Sequence, residues 1–189
     1  MNVFSSLARV ARGRPAWALL LFFALAFQVV ALYFQHTMNL LPCVMCIYER
    51  VAMFGIAGAA LIGLFAPNNA FFRWGGIICW GVAAVWGVKL AHQHIEYQFP
   101  DPNVLFGPTC ELFVSFPSWA PLNEWLPSVF QSYGDCSMVV WEFLGYSMPQ
   151  WLLVIFVMML AAQVCVLVSE LKVLITTLRG EPTATDLNR

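Results

Sequence analysis

The chain has 189 residues, 61% of them hydrophobic and 10% charged, with a formal net charge of −1 and a mean hydropathy of +0.75. That composition excludes an ordinary soluble globular domain and reads as an integral membrane protein. Its nine Lys and Arg form no basic stripe that could track phosphates, so no nucleic-acid partner is expected.

Residues 15–34 form an uncharged run long enough to cross the hydrocarbon of a bilayer. Arg9, Arg12 and Arg14 precede it as in a signal peptide, but the apolar run is too long for one and Gln35-His36-Thr37-Met38 offers no small-residue cleavage site, so the span is expected to be retained. A second span is expected over 43–65, with Glu49 and Arg50 as its only charges. It ends at Pro67-Asn68-Asn69, a turn short enough to force an antiparallel return. The third, 71–90, carries Arg73 at its entry and Lys89 near its exit, where both stems can snorkel to an interface. Met148-Pro149-Gln150 opens the fourth, 149–168, with proline where a helix start tolerates it.

Arg9, Arg12, Arg14, Arg73, Lys172, Arg179 and Arg189 fall on one side of this arrangement, whereas 91–148 holds no Lys or Arg. Both termini, including a tail over 171–189, are therefore expected in the cytoplasm, and the loops 35–42 and 91–148 outside it. In the long loop, Trp119, Leu122, Trp125, Leu126, Val129 and Phe130 recur at helical spacing opposite Ser118, Asn123, Glu124 and Ser128. Pro121 and Pro127 limit this to a short or broken helix, suited to lie in the interface with its tryptophans at headgroup depth. The expected fold is an all-α membrane protein, a single membrane domain over 1–189: a bundle of four transmembrane helices with a short interfacial helix in the second external loop.

The six cysteines divide by depth. Cys79 and Cys165 fall inside spans and read as inert buried thiols, because apolar surroundings disfavour the thiolate. Cys43, Cys46, Cys110 and Cys136 share the external compartment, where disulfides persist. A bridge between Cys110 and Cys136 could stabilise the loop by about 3–4 kcal/mol in the chain-entropy model. A Cys43–Cys46 bridge constrains almost nothing, and a helix N-terminus favours its reduced thiolate, so such a bridge suits redox chemistry better than structure. Zinc is the other standard use of four cysteines, but zinc ribbons use two close pairs and Cys110 and Cys136 are far apart in sequence. No metal is expected. Cys46 and Arg50 are four residues apart, which stacks thiolate and guanidinium on one helix face; Arg50 could equally be an interfacial anchor paired with Glu49.

The run Cys43-Val44-Met45-Cys46-Ile47-Tyr48-Glu49-Arg50, the Cys110 and Cys136 pair after the third span, and Met148-Pro149-Gln150-Trp151-Leu152 opening the fourth together resemble the bacterial disulfide bond formation protein B family over nearly the whole chain. The resemblance implies a four-helix enzyme of the inner membrane, multi-pass, with its active cysteines in the periplasm. Such an enzyme reoxidises the periplasmic dithiol oxidase DsbA and passes the electrons to ubiquinone or menaquinone. It further implies that reduced DsbA attacks Cys110, that the released Cys136 attacks Cys43, and that Cys46 faces the quinone with Arg50 beside it. His94 resembles a family position near the quinone ring. A potential near roughly −120 mV makes DsbA too strong an oxidant for a thiol pool to regenerate, whereas a membrane quinone can. Two other readings remain: a vitamin K epoxide reductase-like enzyme, whose two-cysteine motif opens a late span, and a non-catalytic membrane protein whose loop bridge holds a binding surface.

Overall fold

The computed structural model describes residues 9–103, 110–111 and 113–179. Arg189 and the end of the expected tail lie outside them. Four helices are long and apolar enough to cross a membrane: α1 (Arg14–His36), α2 (Val44–Phe65), α3 (Ala70–Gln98) and, later in the chain, α6 (Met148–Leu178). Their ends follow local chemistry. Pro15 sits in the first turn of α1, where its missing N–H is no loss. The Cys43 sulfur caps α2, the Asn69 side chain caps α3, and at the start of α6 the Gln150 side chain accepts from the Ser147 N–H at 2.8 Å.

α3 and α6 extend beyond the windows read from hydropathy. Apolar composition marks the part of a helix that crosses hydrocarbon, while backbone hydrogen bonding carries on into polar sequence. The additional turns of α3 matter, because they bring His94 up to the cysteine motif.

The main helix packings are α1 on α2, α2 on α3 and α3 on α6, and the Trp17 ring of α1 also meets the Trp80 ring of α3. Across their apolar spans α2 is 56% buried and α3 39%, against 17% for α1 and α6, so α2 is the most enclosed helix and α1 and α6 present apolar faces to lipid. Gly87 of α3 lies against the Phe156 ring of α6, leaving no room for a Cβ and setting a close helix crossing. Cys79 and Cys165 are exposed on the outer faces of this bundle, correcting the expectation of buried thiols: hydropathy places a residue inside the membrane without saying whether it faces protein or lipid.

Arg73 does not snorkel. It is buried, donating from Nε to Glu170 Oε2 at 3.1 Å and from Nη1 to the Pro67 carbonyl at 2.9 Å, while Arg12 Nε reaches Glu170 Oε1 at 3.4 Å. This cluster ties the N-terminal segment, α3 and α6 together at the end of the bundle remote from the cysteine motif. Lys89 lies over the Trp86 ring, 5.9 Å from its centroid.

The expected interfacial helix is present as two single turns, α4 (Leu122–Trp125) and α5 (Pro127–Phe130). Trp119 and Trp125 are 80% and 61% exposed, free to enter a headgroup layer, whereas Phe130 is buried against Phe54 and Phe116. A two-residue hairpin, β1 (Glu142–Phe143) and β2 (Tyr146–Ser147), precedes α6, turning at Leu144 and Gly145 with φ of 55° and 80°.

Candidate active site

Cys43 is extended and buried at the mouth of α2, and its Sγ accepts the Cys46 backbone N–H at 3.2 Å. The two sulfurs are bonded, and so are those of Cys110 and Cys136. All four cysteines gather at one end of the bundle.

The loop reaches α2 through backbone pairing. Tyr133 and Gly134 both donate to the Pro42 carbonyl, at 2.9 and 3.0 Å, and Gly134 forms a parallel bridge with Cys43. A Cβ on Gly134 would lie 2.5 Å from the Leu41 carbonyl oxygen, so only glycine allows this approach. Two residues further on, Cys136 is fully buried against the same core as Cys43, with Cys110 packed at its edge. Next to it, Asp135 accepts from the Ser137 N–H and Oγ–H, both at 2.9 Å, and these bonds hold its carboxyl below the usual carboxylate range.

Arg50 lies one turn deeper than Cys46 and is 6% exposed. Its Nη1 donates to Gln35 Oε1 at 2.9 Å and to the Val129 carbonyl, its own carbonyl accepts from Gln28 Nε2 at 2.8 Å, and its Nε has no partner. Cys46 and Arg50 share a cavity of about 80 Å³ lined by Phe27, Phe34, Leu41, Met53, Met148 and Leu152, together with Gln28, Gln35 and Glu49. An apolar cleft with a few convergent polar groups suits a flat, lipid-soluble ring bearing carbonyl acceptors, and the buried Arg50 Nε–H is a donor without an acceptor among the described residues.

His94 does not line that cavity. It lines a second, smaller pocket of about 20 Å³ with Cys43, Cys46, Gln98 and Asp135, on the Cys43 side of the bridge. Its Nε2 is 3.4 Å from Cys43 Sγ and its Nδ1 is 3.0 Å from Glu49 Oε1. Cys43, Cys46 and His94 offer three donor atoms within 4.8 Å of one another. With the sulfurs bonded together, neither is the thiolate that a zinc ligand must be.

Sequence reasoning put Cys43, Cys46 and Arg50 in one place and left Glu49 as a local partner. It missed Gln28, Gln35 and the Val129 carbonyl. A signal for the glutamines was present: Gln28 is a polar residue inside an apolar span, and Gln35 follows seven residues later on the same helix face.

A family profile described as "Disulfide bond formation protein DsbB" matches residues 13–166. The chain is 57% identical to disulfide bond formation protein B of Vibrio parahaemolyticus over 171 residues, covering 90% of this chain and 94% of the relative. The Vibrio alginolyticus protein of that name is 57% identical over 157 residues, 82% of this chain and 93% of the relative. That of Vibrio cholerae is 53% identical over 172 residues, 90% and 97%.

Proposed function

The chain belongs to the disulfide bond formation protein B family, and from that premise we propose how its residues divide the work. As a member it is a disulfide-generating thiol:quinone oxidoreductase of the inner membrane that reoxidises DsbA and passes the electrons to ubiquinone or menaquinone. In the proposed division, the thiolate of reduced DsbA attacks Cys110 Sγ and breaks the Cys110–Cys136 bond. The Cys136 thiolate then attacks Cys43 Sγ, breaking the Cys43–Cys46 bond and leaving Cys46 as a thiolate at the apolar cavity. The second DsbA thiol displaces Cys110, and Cys110 in turn displaces Cys43 from Cys136. Each step exchanges one S–S bond for another, so the two electrons taken from DsbA end on Cys43 and Cys46.

The bound quinone supplies the two-electron acceptor. Arg50 holds a fixed positive charge in the cavity it shares with Cys46, where negative charge is transferred. The observation that carries this reading is the shared cavity of Cys46 and Arg50. The K/R bias supports both termini in the cytoplasm and the four bridge cysteines in the periplasm, in a single membrane domain.

Anaerobic oxidation of reduced DsbA by the purified protein, with ubiquinone and then menaquinone, tests the assignment. Turnover should disappear in Cys46→Ser and weaken in Arg50→Ala. Full turnover by Cys46→Ser would reject it.

A further inference from the structure

We propose that Glu49, His94 and Cys43 form a proton relay that activates the Cys43 sulfur, with Glu49 as its positioning residue. This rests on the thiol:quinone reading above and adds to it a role for the second pocket.

The three groups are joined by two contacts, 3.0 Å from Glu49 Oε1 to His94 Nδ1 and 3.4 Å from His94 Nε2 to Cys43 Sγ. Glu49, His94 and Cys43 are 2%, 3% and 3% exposed, so water does not compete for these contacts. A buried carboxylate accepting from Nδ1–H fixes the imidazole tautomer and leaves the lone pair on Nε2 directed at sulfur. Among the described residues Glu49 Oε2 has no partner, and the one hydrogen bond of the carboxylate goes to His94. The elements were drawn together for this: Glu49 lies in the second turn of α2, and His94 is on the part of α3 that outruns the apolar span.

When both sulfurs are reduced, the bridge closes only if Cys43 gives up its proton. In the proposed step the Cys43 and Cys46 sulfurs form one S–S bond and two electrons pass to the quinone acceptor of the established activity. The Cys43 proton moves to Nε2 of His94 and leaves through the second pocket to water, from which the two protons of the quinol are drawn. The ionised Glu49 stabilises the imidazolium. The other groups facing the pocket agree with this direction: Asp135 from the loop is anionic, while Gln98 of α3 and Met148 and Pro149 of α6 carry no charge. Arg50, the nearest fixed cation in sequence, is engaged with Gln35 and Val129 in the other cavity.

A structural Glu49 and a relay Glu49 differ in one measurable respect. Glutamine keeps the hydrogen bond from Nδ1–H but removes the charge. The test uses quinone-free protein in which Cys46, Cys79, Cys110, Cys136 and Cys165 are replaced by alanine, and follows alkylation of Cys43 by iodoacetamide against pH. The midpoint should lie a unit or more below the ordinary thiol value of about 8.5. Glu49→Gln should raise it by about one unit, making alkylation at neutral pH roughly tenfold slower. His94→Gln should abolish the low midpoint. Coincident profiles for the parent and Glu49→Gln would overturn the relay. Should Glu49→Gln not fold, an unshifted profile in His94→Gln overturns it equally. The unsubstituted enzyme is assayed in parallel with DsbA and quinone, so loss of the functional reading shows there and loss of the relay shows in the alkylation profile.

Discussion

Arg50 is held more firmly than a headgroup anchor needs to be, with Gln35 and a loop carbonyl both accepting from Nη1. Lysine in its place keeps the charge but loses the fork of donors. Arg50→Ala should therefore lower the rate of quinone reduction by about 100-fold, in the range seen when one oriented donor is removed, and Arg50→Lys by an intermediate amount. Stopped-flow quinone absorbance checks the order; equal rates for the Lys and Ala variants would mean that charge contributes nothing. The Cys46–Arg50 pairing was legible in the sequence because both residues lie on one helix and helical spacing is fixed. The partners of Glu49 and Arg50 were not, since His94, Gln35 and Val129 come from other elements, and no periodicity within one helix says which neighbour it will meet. His94 was noticed for its position, but only packing shows that it faces Cys43 instead of the Arg50 cavity.

At the level of elements, the long loop is docked by several contacts, the mutual hydrogen bonds of Tyr48 and Ser115 among them, and two sets bear most directly on the site. One is the backbone pairing of Tyr133 and Gly134 with Pro42 and Cys43. The other joins α5 to α1 and α2: Gln35 Nε2 donates to the Ser128 carbonyl at 2.9 Å, His36 Nε2 lies 3.1 Å from the same oxygen, and Arg50 reaches Val129. Gly134→Val pushes against the Leu41 carbonyl and should break the first set alone. Transfer from Cys136 to Cys43 should then slow by about tenfold, a cost of roughly 1–3 kcal/mol for forced overpacking, while attack of DsbA on Cys110 keeps its rate. Quenched-flow gels resolving the mixed disulfide from the Cys43–Cys136 species would show this, and equal slowing of both steps would count against separate docking. The loop helix was readable from its aromatic spacing, and its break from Pro121 and Pro127. The hairpin was not, because Leu144 is an unusual residue at positive φ and only Gly145 signals a turn.

For the molecule as a whole, the four spans and their antiparallel order followed from hydropathy and turn length. The Glu170 cluster did not, because a charge near a span end looks the same whether it snorkels or pairs. Removing Glu170 strands Arg73 without its ion-pair partner in a buried site, so Glu170→Ala should destabilise the bundle by about 3–5 kcal/mol. Arg12 is 38% exposed, and Arg12→Ala should cost less than about 1 kcal/mol. Thermal unfolding in detergent ranks the two, and equal midpoints would refute the assignment. At the opposite end, the cavity of Cys46 and Arg50 is lined by residues of α1, α2 and α6, and α1 and α6 are the spans that turn most of their surface outward, to lipid. An acceptor that arrives there comes sideways, by diffusion in two dimensions. Its effective concentration is then a ratio to phospholipid rather than an amount per litre. Diluting the vesicles leaves the rate of acceptor capture unchanged, whereas adding inert lipid at constant quinone lowers it.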